Sequence, residues 1–270
     1  MAKVDVQRNF SLAALSYDSV ASLQRTMADR LAEMVAELSV SLRNAVEIGC
    51  GTGFLSECVI RSLPHLQSLL MVDLSQEMLE ATRRRLTSLV AEREGDTPQL
   101  SYLQADGETF SLPPQTDLWI SSATVQWFSD LPLFLQNLRE QLSSHAKIAF
   151  SCFGPDSLSE LYSSYAEVHG MERRRQARFW SVEELQMILE EAGFSLLSLQ
   201  QGTEKSESRD LLSLLKRIKT MGASYRPDHS SQLTRESLRK WSSLYRERFS
   251  SPSGGILSSW EWIAVVAEPG

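Results

Sequence analysis

Residues 46–55 read Val46-Glu47-Ile48-Gly49-Cys50-Gly51-Thr52-Gly53-Phe54-Leu55. Three glycines at alternate positions follow an acidic residue at the end of a short apolar run. Glycine adopts positive φ without strain and lets a ligand approach the main chain directly. The following segment has helical spacing and stops before Pro64. This pattern predicts a strand, a glycine turn and a helix, which form a nucleotide-type binding loop at the carboxyl end of a first strand.

Further apolar runs alternate with amphipathic segments along the rest of the chain. The predicted strands are Ala45–Ile48, Ser68–Val72, Leu100–Gln104, Asp117–Ser121, Lys147–Phe153, Phe194–Gln200 and Leu257–Ala267. The predicted helices are Gly53–Leu63, Gln76–Glu92, Leu131–Leu142, Ser157–Val168, Val182–Ala192, Leu211–Met221 and Thr234–Arg248. Such alternation predicts an α/β fold with a doubly wound, mostly parallel, seven-stranded sheet of the Rossmann-like kind.

The chain of 270 residues is expected to form a single domain. Apolar residues from Phe10 to Leu38 recur every three or four positions, so residues 1–42 are predicted to be an N-terminal helical extension placed as a lid. Residues 43–153 are predicted to form the cofactor-binding half. Residues 154–180 and 206–250 are helical inserts that the sheet does not require, which makes them candidates for substrate and partner recognition.

Composition excludes several classes of protein. The net charge of −7 disfavours general binding to nucleic acid. Cys50, Cys58 and Cys152 show no metal-ligand spacing, and their scatter suits a reducing cytoplasm. The sequence has neither a signal-peptide pattern nor an apolar run long enough to span a membrane. We therefore expect a cytoplasmic protein without a metal ion.

The residues around the glycine loop narrow the choice of nucleotide. Phe54 stands where a dinucleotide-binding motif has its third glycine, and no Lys-Ser/Thr pair for a triphosphate follows. Instead, Asp73 ends the second predicted strand and Asp106 follows the third. A carboxylate can bind a ribose diol through two hydroxyl donors. This set of glycines and acids resembles the class I S-adenosylmethionine-dependent methyltransferases.

That resemblance implies S-adenosylmethionine as the cofactor and a set of residues that bind it. The implied residues are Glu47, Gly49, Gly51, Gly53, Asp73, Leu74, Asp106, Gly107 and Ser122. Structural alternatives remain for the acids. Asp73 can be a turn or helix-capping acid, Asp106 a surface loop acid, and Glu47 a buried acid paired with a base rather than a support for the methionine ammonium.

Several distinctive segments lie far from the glycine loop: Ala13-Ala14 with Tyr17, Val125-Gln126-Trp127, Phe153–Leu161, Arg178-Phe179, and Leu215–Ala223. Together they resemble one family, the malonyl-acyl-carrier-protein O-methyltransferases of biotin synthesis. The resemblance covers nearly the whole chain, including both inserts. Two departures are Ser122-Ala123, where many members have asparagine and leucine, and Ser143–Ala146, where a glycine turn is usual.

The family resemblance implies methyl transfer to the free carboxylate of malonyl on acyl carrier protein. A carboxylate is already ionised near neutral pH, so the reaction needs no general base. We expect Arg178 to hold this carboxylate through its fork of donors, Tyr17 to donate a hydrogen bond or close over the cofactor, and Gln126 and Trp127 to line the pocket. The alternatives are a surface arginine, a core tyrosine, a packing tryptophan and a glutamine that caps a loop.

An acidic enzyme needs a local positive patch to bind an acidic carrier protein. The candidates lie in the inserts and are Arg173, Arg174, Arg175, Lys216 and Lys219, for which a solvated helix face is the alternative. A monomer is expected. Two other functions remain open. One is a methyltransferase for a quinone, an amine or another carboxylate, and the other is a non-catalytic binding module on the same fold.

Overall fold

The computed structural model describes residues 3–14, 16–38, 40–91, 97–170, 179–221 and 234–270. Its strands are β1 Asn44–Ile48, β2 Ser68–Asp73, β3 Gln99–Gln104, β4 Leu118–Ser122, β5 Lys147–Phe153, β6 Phe194–Ser208 and β7 Ile256–Pro269. Its α-helices are α1 Lys3–Ala13, α2 Ser22–Ala36, α3 Phe54–Ser62, α4 Gln76–Ala91, α5 Leu131–Gln141, α6 Ser159–Val168, α7 Val182–Glu191, α8 Leu211–Thr220 and α9 Arg235–Phe249.

The strands form one sheet in the order β3-β2-β1-β4-β5-β7-β6. The first five strands in this order pair in parallel, whereas β7 runs antiparallel to both β5 and β6. The chain leaves β3 at one edge and returns as β4 on the other side of β1, so the strand order reverses between β1 and β4. Ligands of doubly wound sheets bind at this reversal, beyond the carboxyl ends of the strands. The predicted seven-stranded Rossmann-like fold is confirmed.

Two apolar cores cover the two faces of the sheet. One core packs α2, α3 and α4 on the sheet and extends over α6, α8 and α9. The other core packs α5 and α7 on the opposite face. Every residue of β5 is buried, which explains why Lys147–Phe153 has no alternation of polar and apolar positions. Among the described residues, no helix has the length and apolar character needed to cross a bilayer.

The N-terminal extension and β6 differ from the predicted elements. The extension is broken into two helices by a 3-10 turn at Tyr17–Ser19, which the continuous apolar periodicity concealed because both helices bury the same kind of face. Strand β6 continues past Gln200 to Ser208 because it pairs with β7 as far as Ile256. Its second half is polar and exposed, so it lacks the apolar signal of a strand.

Candidate active site

A cavity of about 970 Å³, counting its open mouth, lies at the carboxyl ends of β1, β2 and β4. Its place beside the reversal of strand order is where doubly wound sheets bind their ligands. The described residues that line it come from α1, the 3-10 turn, α2, the glycine loop and the loops after β2, β3 and β4. They include Lys3, Gln7, Phe10, Tyr17, Gln24, Glu47, Gly49, Gly51, Asp73, Leu74, Asp106, Ser122 and Trp127.

The glycine loop has the backbone that the sequence predicts. Gly49 and Gly51 have φ values of +70° and +56°. A Cβ atom on Gly49 would lie 2.2 Å from Oγ1 of Thr124, so the loop after β4 packs directly against this glycine. A Cβ atom on Gly51 would meet nothing within 4 Å. Gly51 therefore leaves space above the main chain on the wall of the cavity.

Asp73 lies at the centre of the site, and its two carboxylate oxygens hold two loops. Oδ2 accepts the backbone N–H of Gly51 at 2.9 Å, and Oδ1 accepts that of Ser75 at 2.9 Å. Burial raises the pKa of Asp73, although these hydrogen bonds oppose the shift. Asp73 therefore acts as a turn acid. It can also accept hydrogen bonds from ligand hydroxyls, because an ionised carboxylate has about four acceptor sites.

Glu47 is buried in the cavity wall, with 1% of its surface exposed. Its Oε2 accepts a hydrogen bond from the Ser56 hydroxyl at 2.5 Å. Burial raises the pKa of Glu47 to about 8, and the nearby charge of Asp73 adds to the shift. Among the described residues no basic side chain pairs with Glu47, so the alternative in which it is paired with a base is not found there.

Asp106 lines the cavity beyond β3 and is bound by a residue that sequence reasoning missed. Lys3 Nζ lies 2.5 Å from Asp106 Oδ2 and 2.5 Å from Glu108 Oε2. Burial lowers the pKa of Lys3, but the hydrogen bonds to both carboxylates outweigh this effect and the net pKa is raised. Asp106 is therefore an organised cavity residue, not a free surface acid.

Helix α1 closes over the cofactor half through contacts along its length. Gln7 Nε2 donates to the carbonyl oxygen of Leu74 at 2.8 Å, and Ser11 Oγ lies 2.9 Å from Ser75 Oγ. The Phe10 ring packs edge-on against Trp127, with centroids 5.8 Å apart. The sequence periodicity predicted a helical extension that includes Phe10, but it did not identify Lys3 or Gln7 because their role depends on tertiary contacts.

The 3-10 turn positions Tyr17 against the cavity. Asp18 accepts a hydrogen bond from the Thr52 hydroxyl at 2.6 Å and pairs with Arg85, which ties the turn to the glycine loop. Burial raises the pKa of Tyr17, and the charges of Asp73 and Asp18 add to the shift. Tyr17 is therefore a neutral phenol throughout the physiological pH range.

The last residue of β4, Ser122, and Trp127 of the 3-10 turn that follows both contribute to the cavity surface. Ser122 Oγ also lies 2.8 Å from Ser151 Oγ, which joins β4 to β5. Gln126 was expected to line the pocket, but it lies behind this wall, 2% exposed, and donates from Nε2 to the carbonyl oxygen of Ala123 at 2.8 Å. Ala123 has a positive φ of 50°, so Gln126 braces a strained turn instead of contacting the cavity.

Two predicted glycines also lie behind the cavity surface. Gly53 caps α3 with a φ of +88°, and Gly107 packs so closely on β1 that a Cβ atom would lie 2.1 Å from Cγ2 of Ile48.

Arg178 and the three arginines 173–175 lie outside the described residues. Lys216 and Lys219 are exposed on α8.

The fold and the cavity are those of class I methyltransferases, and comparisons with known proteins agree. Residues 46–148 match a family model described as "Methyltransferase domain". A solved structure from Bacillus halodurans C-125 superposes with a TM-score of 0.61 at 15% identity, over 90% of this chain and 99% of that one, which supports the fold. The domain match confirms the predicted enzyme class, whose cofactor is S-adenosylmethionine. The carboxylates of Asp73 and Asp106 and the open backbone at Gly51 fit that cofactor.

Full-length relatives define the family more closely. A malonyl-[acyl-carrier protein] O-methyltransferase from Paenibacillus sp. (strain JDR-2) is 31% identical over 98% of this chain and 98% of its own length. The protein of the same name from Brevibacillus brevis is 33% identical over 99% of this chain and 96% of its own length. The chain belongs to the malonyl-[acyl-carrier protein] O-methyltransferase family.

Proposed function

We propose that this chain transfers a methyl group from S-adenosylmethionine to the free carboxylate of malonyl on acyl carrier protein. The product is the methyl ester that primes pimeloyl formation in biotin biosynthesis. One observation carries this proposal: the relatives of that name match over 98% and 99% of the chain, whereas the general methyltransferase model covers residues 46–148. The similarity therefore includes both inserts.

The chemistry of this acceptor suits the side chains around the cavity. A carboxylate is ionised near neutral pH, so no base has to remove a proton before attack. One carboxylate oxygen forms a bond to the methyl carbon while the sulfur–carbon bond breaks, and its electrons stay on sulfur as a neutral thioether. The Tyr17 phenol, whose pKa is raised by burial, can donate a hydrogen bond but does not act as a base.

Catalysis of this step depends on alignment and on exclusion of water. Phe10 packs against both Tyr17 and Trp127, so three aromatic rings from α1 and its neighbours meet at the cavity. We propose Arg178 as the group that holds the malonyl carboxylate, because a guanidinium binds a carboxylate through two parallel hydrogen bonds. The cofactor would be held by Glu47, Asp73, Asp106 and the backbone of the glycine loop.

Incubation with S-adenosylmethionine and malonyl–acyl carrier protein tests the reaction directly. Mass spectrometry should detect a gain of one methylene unit on the carrier-bound acyl group, and the product should resist further methylation because its carboxylate is esterified. Expression of the chain should also restore biotin-free growth to a host that lacks this methyltransferase. Failure of both, with folded protein present and S-adenosylmethionine bound, would favour a different small-molecule acceptor.

We propose that Arg173, Arg174, Arg175, Lys216 and Lys219 dock the carrier protein, with the enzyme acting as a monomer. Lys216 and Lys219 lie one turn apart on the exposed side of α8, and no ion pair to either is found within the described part of the chain. Replacing both by glutamate should weaken turnover of carrier-bound malonate about tenfold or more and spare malonyl–coenzyme A, because only the carrier contacts α8. Equal losses on both thioesters would contradict docking at α8.

A further inference from the structure

Gln24 of α2 is a buried amide whose polar atoms are poorly satisfied. Its residue surface is 7% exposed, and the side chain lines the cavity. Nε2 donates to the sulfur of Met221 at 3.6 Å, and a thioether is a weak acceptor. Oε1 is buried without a hydrogen-bond partner among the described residues. Buried carbonyl oxygens are nearly always paired in folded proteins, so this one requires an explanation.

The cavity lining around Gln24 has several hydrogen-bond acceptors and few basic side chains. Glu47 and Asp73 line the same cavity. Lys3 is the one basic residue among the described lining residues, and it is bound to Asp106 and Glu108. Helix α2, which carries Gln24, packs on β4, β5 and β7, whereas α1 packs on α4. Gln24 therefore lies on the side of the cavity away from Asp106, and no basic side chain is among the described lining residues there, although Arg25 and Arg85 stack on the ring of Phe54.

The orientation of the cofactor rests on the proposed roles of these acids in binding it. With the ribose at Asp73 and the adenine toward Asp106, the methionine portion lies toward Glu47 and α2. Its α-ammonium has three N–H donors, and one carboxylate cannot satisfy all of them. We propose that the carbonyl oxygen of Gln24 accepts a hydrogen bond from the α-ammonium group of S-adenosylmethionine, so that Gln24 is a cofactor-binding residue that completes the methionine subsite.

This assignment predicts opposite effects on stability and binding when Gln24 becomes apolar. Gln24→Met keeps the length of the side chain and the helix propensity of the position. The unliganded variant should melt at the wild-type temperature or above it, because a buried unpaired carbonyl is removed. A residue that merely supports packing would lose stability on replacement, so the melting temperature separates the two roles.

Calorimetric titration with ligand fragments tests which group Gln24 contacts, without an acceptor and without turnover. The inference rests on the cofactor of the proposed function but not on its acceptor. Loss of a hydrogen bond to a charged group corresponds to about ten- to hundredfold in affinity. Gln24→Met should weaken S-adenosylhomocysteine and decarboxylated S-adenosylmethionine by this factor, and should leave 5′-methylthioadenosine, which lacks the amino acid portion, unchanged.

Two further variants control the result. Met221→Leu removes the sulfur partner of the amide without touching its carbonyl oxygen, and it should bind all three ligands as the wild type does. Gln24→Glu retains a carbonyl acceptor and should keep most of the affinity for decarboxylated S-adenosylmethionine. The proposal is overturned if Gln24→Met weakens all three ligands equally or weakens none. It is also overturned if that variant spares the decarboxylated ligand, because the amide then serves the carboxylate. A wild-type chain that binds none of the ligands would overturn the cofactor assignment itself.

Discussion

Replacing Glu47 by glutamine should stabilise the unliganded protein, and the gain should grow with pH. Burial raises the pKa of Glu47 to about 8, from an ordinary value of 4.5. The folded state therefore binds this proton more tightly than the unfolded state, and the stability linked to it is fully present below pH 4.5 and is lost as the pH rises toward 8. At about 1.4 kcal/mol per pH unit, wild-type stability falls by roughly 3 kcal/mol between pH 5.5 and 8 relative to the glutamine variant.

Thermal or urea unfolding of both proteins across this pH range measures the difference. For a domain of this size, roughly 3 kcal/mol corresponds to a shift of about 6 °C in the midpoint. Glu190→Gln, an exposed glutamate on α7, is the matched control and should leave the pH dependence unchanged. Glu47→Gln should also weaken S-adenosylmethionine, because the ammonium loses a counter-charge. If the two stability curves run parallel between pH 5.5 and 8, the raised pKa of Glu47 is wrong.

Three other predictions concern the loop, the acceptor and the lid. Gly49→Ala should lower the free energy of unfolding by at least about 2 kcal/mol, because backbone strain is added to overlap with Thr124. Gly51→Ala adds strain alone and should lower it by about 1 kcal/mol. Urea unfolding measures both changes. Arg178→Ala should raise KM for malonyl–acyl carrier protein about tenfold or more and leave calorimetric cofactor affinity unchanged; an unchanged KM would refute its role. Lys3→Ala should lower the free energy of unfolding by about 1 kcal/mol or less and should speed amide hydrogen exchange in α1. Unaltered exchange would argue that these ion pairs do not hold α1 in place.

The fold was predictable because its signals are local. The glycines after β1 and the acid that ends β2 lie within one strand–helix–strand unit, so spacing alone identifies them. Lys3 reaches Asp106 across 103 positions of the chain, and no periodicity marks such a contact. For Gln126, the sequence predicted a cavity contact that the structure does not show. Its position after β4 predicted a cavity residue, but the 3-10 turn directs its amide to Ala123, a backbone detail that a residue pattern does not contain.

The burial of Glu47 and the unpaired carbonyl of Gln24 have a single explanation when both residues belong to one ligand subsite. Each is more costly in the unliganded protein than an apolar residue of similar size, because one is a desolvated acid and the other carries an unpaired carbonyl. A chain selected for stability alone would replace both. A single bound cation relieves both costs, since it ionises the acid and pairs the carbonyl. The polar groups at this end of the cavity are therefore best explained by a positively charged ligand, and the adenosine portion alone does not supply one.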